Sequence, residues 1–101
     1  VAATKAILSR NKLRPSDVDV FEIHEAFAAT IVKLQRELKI DSARLNINGG
    51  CIALGHPMGA TGAIMAGTAI DELMRCDGSI GIIAASGAAG SGSALLVERC
   101  Y

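Results

Sequence analysis

Apolar and polar positions along the chain switch between helical and extended spacing several times. Residues 2–12 carry a helical period with Ala3, Ala6 and Ile7 on one face. Arg14-Pro15-Ser16-Asp17 interrupts it. Residues 19–23 then predict a short buried strand, since Val20, Phe21 and Ile23 favour extended backbone. The helical period returns over residues 25–38, with Phe27, Ile31, Leu34 and Leu38 in one stripe and Lys33, Arg36 and Glu37 toward water. Residues 45–52 read as extended and run into a glycine-rich stretch.

Residues 61–75 predict a helix of another kind. Positions 63–70 are apolar or small almost all the way round, the mark of a helix buried on most sides. Gly59, Ala63 and Gly67 recur every four positions and clear a row for a close neighbour. Residues 80–85 and 93–98 read as strands on either side of a second glycine loop. The order helix, strand, helix, loop, helix, strand, strand predicts layered α/β, with the last two strands antiparallel neighbours.

Composition narrows the class. The 101 residues suffice for one domain, residues 1–101. Half are hydrophobic, which supplies a core. Ten basic and ten acidic side chains leave no net charge, which argues against nucleic-acid binding. No apolar run approaches the roughly 20 residues of a membrane span, and no basic-then-apolar leader opens the sequence. The cysteines Cys51, Cys76 and Cys100 have irregular spacing without CxxC, and the two histidines stand 32 positions apart, so no zinc site is expected. An odd cysteine count disfavours a disulfide framework and points to a reducing compartment, the cytosol or an equivalent.

Candidate chemistry concentrates where glycine does. Ten of eleven glycines fall in two clusters, residues 49–62 and 78–92, which suggests two loops converging on one place. His56 stands between Gly55 and Pro57 at the expected mouth of the buried helix. Pro57 suits a first helical turn. Helix-start N–H groups beside the ring disfavour its protonation and keep it ready to accept a proton. A capping histidine is the plain alternative, and the five surrounding glycines favour a site. His24, at a strand-to-helix junction, divides evenly between site and structure. With Ala at position 28, His24-Glu25 is not a zinc HExxH motif, and Glu25 suits a first-turn acid on its own helix. The loop Ser86-Gly87-Ala88-Ala89-Gly90-Ser91-Gly92 lacks both a following helix and GK[ST], so it fits an oxyanion hole or a tight hairpin better than a phosphate cradle.

The segment from Asn46 through Asn48-Gly49-Gly50 and Gly55-His56-Pro57 to Thr61-Gly62 resembles the signature of the thiolases, the acyl-CoA C-acyltransferases. His24-Glu25-Ala26-Phe27 is similar to the same family's Asn-Glu-Ala-Phe block in its histidine variant. The loop from Ser86 resembles the family's terminal Cys-x-Gly-Gly-Gly segment. Order and spacing of the three blocks agree over nearly the whole chain.

The resemblance implies a layered α/β/α thiolase fold, its C-terminal part only, with a final antiparallel strand pair. It implies Claisen chemistry on coenzyme A thioesters as substrates, with no separate cofactor. His56 would activate the nucleophilic cysteine and line an oxyanion hole, His24 would orient a water or complete that hole, and the Ala88 N–H would serve a second hole. Gly55, Met58 and Phe27 would border the substrate, core packing being the alternative for Met58 and Phe27. The resemblance further implies an N-terminal half or partner subunit carrying the nucleophile, and homo-oligomers. A chain of this extent should leave an apolar sheet edge and helix face uncovered. At Ser86 the sequence departs from the family, whose cysteine base aligns there. A serine hydroxyl is far less acidic than a thiol of pKa about 8.5, so it does not cycle readily as a base at neutral pH, and His24 or another group would take the proton. A noncatalytic, acyl-CoA-binding relative and a structural dimer-forming domain are the competing classes.

Overall fold

The computed structural model describes residues 1–100; Tyr101 and the Ala88 side chain lie outside the described part. Helix α1 (Ala2–Arg10) is followed by strand β1 (Val20–Ile23) and helix α2 (Ala28–Leu38). The short helix α3 (Cys51–Leu54) and the long helix α4 (Met58–Arg75) lead to strands β2 (Ile80–Ser86) and β3 (Gly92–Glu98). The sheet order is β1-β2-β3, with β1 and β2 parallel and β2 and β3 antiparallel. Val20 pairs with Gly81 and Ser86 with Gly92.

Strand alternation sorts the core onto two faces. Phe21, Ile23, Ile82 and Ala84 meet Leu8 of α1 and Leu34 of α2 on one side. Val20 and Ile83 meet Met65, Ala69 and Leu73 of α4 on the other. The result is the expected α/β/α layering. Full burial of Phe21, Leu34, Leu73 and Ile82 contributes roughly 1.5–3 kcal/mol each.

Several expectations need correction. Helix α1 turns Thr4 and Leu8 inward and leaves Ala6 exposed, one step round from the face read in the sequence. It stops at Arg10 because Lys12 is left-handed (φ 56) and the Leu13 N–H returns to Leu8 O. Helix α2 begins at Ala28 rather than Glu25, because the His24 N–H continues the strand pairing to Ala84 O and residue 27 stays extended. Phe27 is therefore 74% exposed and outside the α2 stripe, which keeps only Ile31, Leu34 and Leu38.

Residues 45–52 form no strand. Leu45 alone bridges Phe21, Asn46 takes φ 45 and Gly49 φ 85, and the chain turns into α3. Pro57 caps α4 from outside instead of occupying its first turn. Helix α4 is buried on one side only: Thr61, Met65, Ala69, Glu72 and Leu73 face inward, while Ile64, Ile70 and Met74 are exposed. Nothing within 4 Å meets a Cβ built on Gly59, Gly62 or Gly67. The row of small residues is present, and its outer face is uncovered in this chain. No helix is long and apolar enough to cross a membrane, among the described residues.

Candidate active site

Parallel pairing of β1 and β2 brings their C-terminal ends to one edge of the sheet, where ligands of α/β folds gather. His24 follows β1 directly and Ser86 closes β2. The loop ahead of α4 delivers His56 to the same edge. The two imidazoles approach with ring centroids 4.4 Å apart at 41°. They border a cavity of about 590 Å³ together with Phe27, Met58, Thr61, Met65 and Ser86. Of the residues singled out in the sequence, His24, His56, Ser86, Phe27 and Met58 thus share one wall. Gly55 is not among the described lining residues. It holds the turn before His56 at φ 90, ψ 170, a region essentially reserved for glycine. Ala88 opens the turn Ala88–Gly90 just beyond Ser86. In that loop the Gly87 N–H donates to Ser91 O, and Ala89 and Gly90 are left-handed, as a tight hairpin requires.

The placement of His56 originates at Asn46. Its side chain accepts from the Ile23 N–H (2.8 Å) and donates to Ile23 O (2.9 Å), mimicking a strand partner at the open edge of β1. Its backbone N–H donates to Phe21 O, and its amide nitrogen also reaches Glu25 Oε2 at 2.9 Å. Glu25 Oε1 accepts the Ile52 N–H at 3.2 Å. The carboxylate therefore complements the start of α3 rather than α2. A Cβ on Gly50 would run into that carboxylate, so close approach explains this glycine. Cys51 is half-buried, its Sγ donating to Glu25 O at 3.1 Å. Asn48 donates to Glu72 Oε2 at 3.0 Å and ties the loop to α4.

His56 Nδ1 lies 2.7 Å from Thr61 Oγ1, and the Thr61 hydroxyl donates to Pro57 O at 3.1 Å. His24 is buried, and its pKa is pushed below the ordinary histidine value by burial first and by neighbouring His56 second; Glu25 opposes. The shift favours the neutral ring. His24 also borders a second cavity of about 540 Å³, shared with Thr4, Ser86 and Gly87. Thr4 Oγ1 and His24 Nε2 are buried without a hydrogen-bond partner among the described residues.

Below the loop lies a cluster of carboxyl groups. Burial, with Glu25 and Glu72 adding, pushes Glu22 up to about 7. Hydrogen bonds from Arg75 and Asn48 hold Glu72 down to about 2. Between pH 4.5 and 7 the folded chain binds the Glu22 proton that the unfolded chain releases, so Glu22 lowers stability progressively as pH rises through that window. After allowance for solvent screening the loss is on the order of 2 kcal/mol. Glu72 acts oppositely: its contribution is present above pH 4.5 and lost as pH falls toward 2. Glu22→Gln should match the parent near pH 5 and exceed it at pH 8 in urea unfolding; equal stability at pH 8 would refute this assignment.

Asn46 and Thr61 lie within the thiolase-like segment, but the sequence gives neither a role, and it does not mark Glu22 at all. Thr61 stands four residues after Pro57, the spacing of a side-chain bond back to a helix carbonyl, and Asn tolerates left-handed backbone. Those were the available signals. No cluster of His, Cys, Asp and Glu suited to a metal ion occurs among the described residues.

A family model described as "Thiolase, C-terminal domain" matches residues 1–99. The chain is 41% identical over 99 residues to an acetyl-CoA acetyltransferase of Cupriavidus necator, covering 98% of this chain and 25% of that protein. It is 46% identical over 101 residues to a beta-ketoadipyl-CoA thiolase of Pseudomonas knackmussii, with the same 98% and 25% coverage. A peroxisomal 3-ketoacyl-CoA thiolase of Arabidopsis thaliana is 40% identical, over 96% of this chain and 22% of its own length. The chain spans about a quarter of these relatives. It belongs to the thiolase family, and it corresponds to that family's C-terminal domain.

Proposed function

We propose that this chain is the C-terminal portion of a thiolase-type acyl-CoA C-acyltransferase, which makes or cleaves 3-ketoacyl-CoA thioesters. The reading rests on one observation above the others, the pairing of the His24 and His56 rings over a cavity that Ser86 also borders. His56 takes the proton of a cysteine supplied by the rest of the enzyme, and the thiolate attacks the thioester carbonyl. The imidazolium so formed donates to the developing oxyanion, with neutral His24 as the second donor. Fixed donors of this kind contribute roughly 3–4 kcal/mol each to the transition state. The Ala88 N–H serves a second oxyanion hole, and Phe27 and Met58, both exposed, flank the acyl group.

The rest of the enzyme, or a partner subunit, covers the open face of α3 and α4. Ile52, Leu54, Ile64, Ile70 and Met74 form an apolar surface there, beside glycines with nothing packed on them. Assembly into homo-oligomers and residence in the cytosol complete the reading, the latter supported by three free cysteines. The chain alone should show no thiolysis of acetoacetyl-CoA, since no cysteine borders the cavity among the described residues; turnover by the chain alone would contradict the reading.

Ser86 favours a second reading, a noncatalytic acyl-CoA-binding relative. The two are separated by Ser86→Cys in a chain completed with a thiolase N-terminal half. A gain in turnover of tenfold or more, in line with a restored general base, indicates lost base chemistry. No gain indicates that another group, His24 foremost, removes the α-proton.

A further inference from the structure

We infer that Thr61 is a positioning residue that holds the proton of His56 on Nδ1, leaving Nε2 as the proton-accepting nitrogen at the cavity. The inference rests on the proposed role of His56 and specifies which nitrogen performs it. A threonine hydroxyl has one proton and two acceptor lone pairs. Thr61 sits in the first turn of α4, only 6% exposed, and spends that proton on Pro57 O at 3.1 Å. The same carbonyl accepts the Thr61 N–H at 2.9 Å, so the side chain is fixed along its own helix turn. Only lone pairs of Oγ1 then remain to meet His56 Nδ1 at 2.7 Å. Two lone pairs at that separation repel, so with the hydroxyl proton on Pro57 O the ring nitrogen carries the hydrogen. A neutral imidazole has a single N–H, and Nε2, on the opposite edge of a ring that borders the cavity, is left with its lone pair free to accept.

The arrangement matters because a neutral histidine in water prefers its proton on Nε2, the tautomer in which that nitrogen cannot accept one. Thr61 inverts this preference. When Nε2 accepts the thiol proton, Nδ1–H continues to donate to Thr61 Oγ1, and the bond strengthens because the ring is charged. No hydroxyl has to turn during the step. The proton moves from sulfur to Nε2, the electron pair left on sulfur attacks the carbonyl, and the Pro57–Thr61–His56 chain keeps every hydrogen in place.

The direct test is long-range 1H–15N correlation on the labelled chain at pH 8, with Thr61→Val and Thr61→Ser beside the parent. The parent should show protonated Nδ1 and bare Nε2 at His56. Thr61→Val, nearly isosteric but without an acceptor, should shift the ring toward Nε2–H, and Thr61→Ser should retain the parent tautomer. In the completed enzyme Thr61→Val should lower kcat on the order of tenfold with KM unchanged, less than the ~10²–10⁴ attached to losing the base itself. Thr61→Ser should recover it. A parent ring carrying its proton on Nε2, or a tautomer indifferent to Thr61→Val, overturns the inference. A tautomer that follows Thr61 while turnover does not would instead overturn the role of His56 as base, so the two failures are distinguishable.

Discussion

Replacing His56 by Ala in the completed enzyme should lower turnover about 10²–10⁴-fold, the range typical of a lost general base, with folding unaffected. The second half of that expectation follows from the surroundings of the ring. His56 is exposed, and its hydrogen bond is to Thr61, which keeps its bond to Pro57 O when the ring is removed. A histidine that merely capped a turn would behave in the opposite way: its loss would cost about 1 kcal/mol of stability and leave kcat nearly intact. Steady-state thiolysis rates and a urea unfolding curve on the same two proteins separate these cases. An unchanged kcat would remove His56 from the chemistry.

The largest effect on stability should come from Asn46→Ala, at about 3 kcal/mol. Three side-chain hydrogen bonds are lost, two to Ile23 and one to Glu25, at roughly 1 kcal/mol each. The Ile23 N–H and C=O then lack their partner at the edge of β1. Alanine is also strained at φ 45, where Asn is tolerated. Asn46→Gly removes that strain but keeps the hydrogen-bond loss, so it should lie between the parent and Asn46→Ala. Denaturant midpoints for the three proteins check the order, and a cost below about 1 kcal/mol for Asn46→Ala would show that Asn46 does not anchor the loop.

These two residues illustrate what the sequence discloses. Most of the element order and the layered α/β class were legible because strand alternation and helix stripes are local patterns, and β2 and β3 are joined by a short glycine loop; the α/β/α stacking was expected from the thiolase resemblance. The start of α2 was not. Nothing local distinguishes Glu25 as the first residue of a helix from Glu25 as the acceptor for Ile52 and Asn46, which lie more than twenty residues away in the chain. Residues 45–52 misled for the same reason: their apolar side chains suit a strand, but Asn46 satisfies the sheet edge with its side chain and frees the backbone to turn. The all-round apolar pattern of α4 predicts burial on most sides. Here Thr61, Met65, Ala69, Glu72 and Leu73 face inward while Ile64, Ile70 and Met74 are exposed, and under the proposed function the N-terminal half or a partner subunit would cover them.

Within the site, His56 and Ser86 stood beside glycines and His24 at a strand-to-helix junction, and all three fell on blocks that resemble the thiolases. Thr61 did not, since a threonine in a helix start is ordinary until its proton is assigned. Glu22 was hidden as well. A carboxylate between two apolar strand residues looks like a solvent-facing position of an alternating strand, and only the sheet shows that α4 and two further carboxyl groups cover it.

The central claim is geometric: the two imidazoles act together on one thioester carbonyl. It is tested most directly by the crystal structure of the completed enzyme with a nonhydrolysable acyl-CoA analogue. The account predicts the analogue carbonyl oxygen within hydrogen-bond distance of ring nitrogens of both His24 and His56, with the acyl group beside Phe27 and Met58. An analogue bound elsewhere, with both rings unengaged, would contradict it.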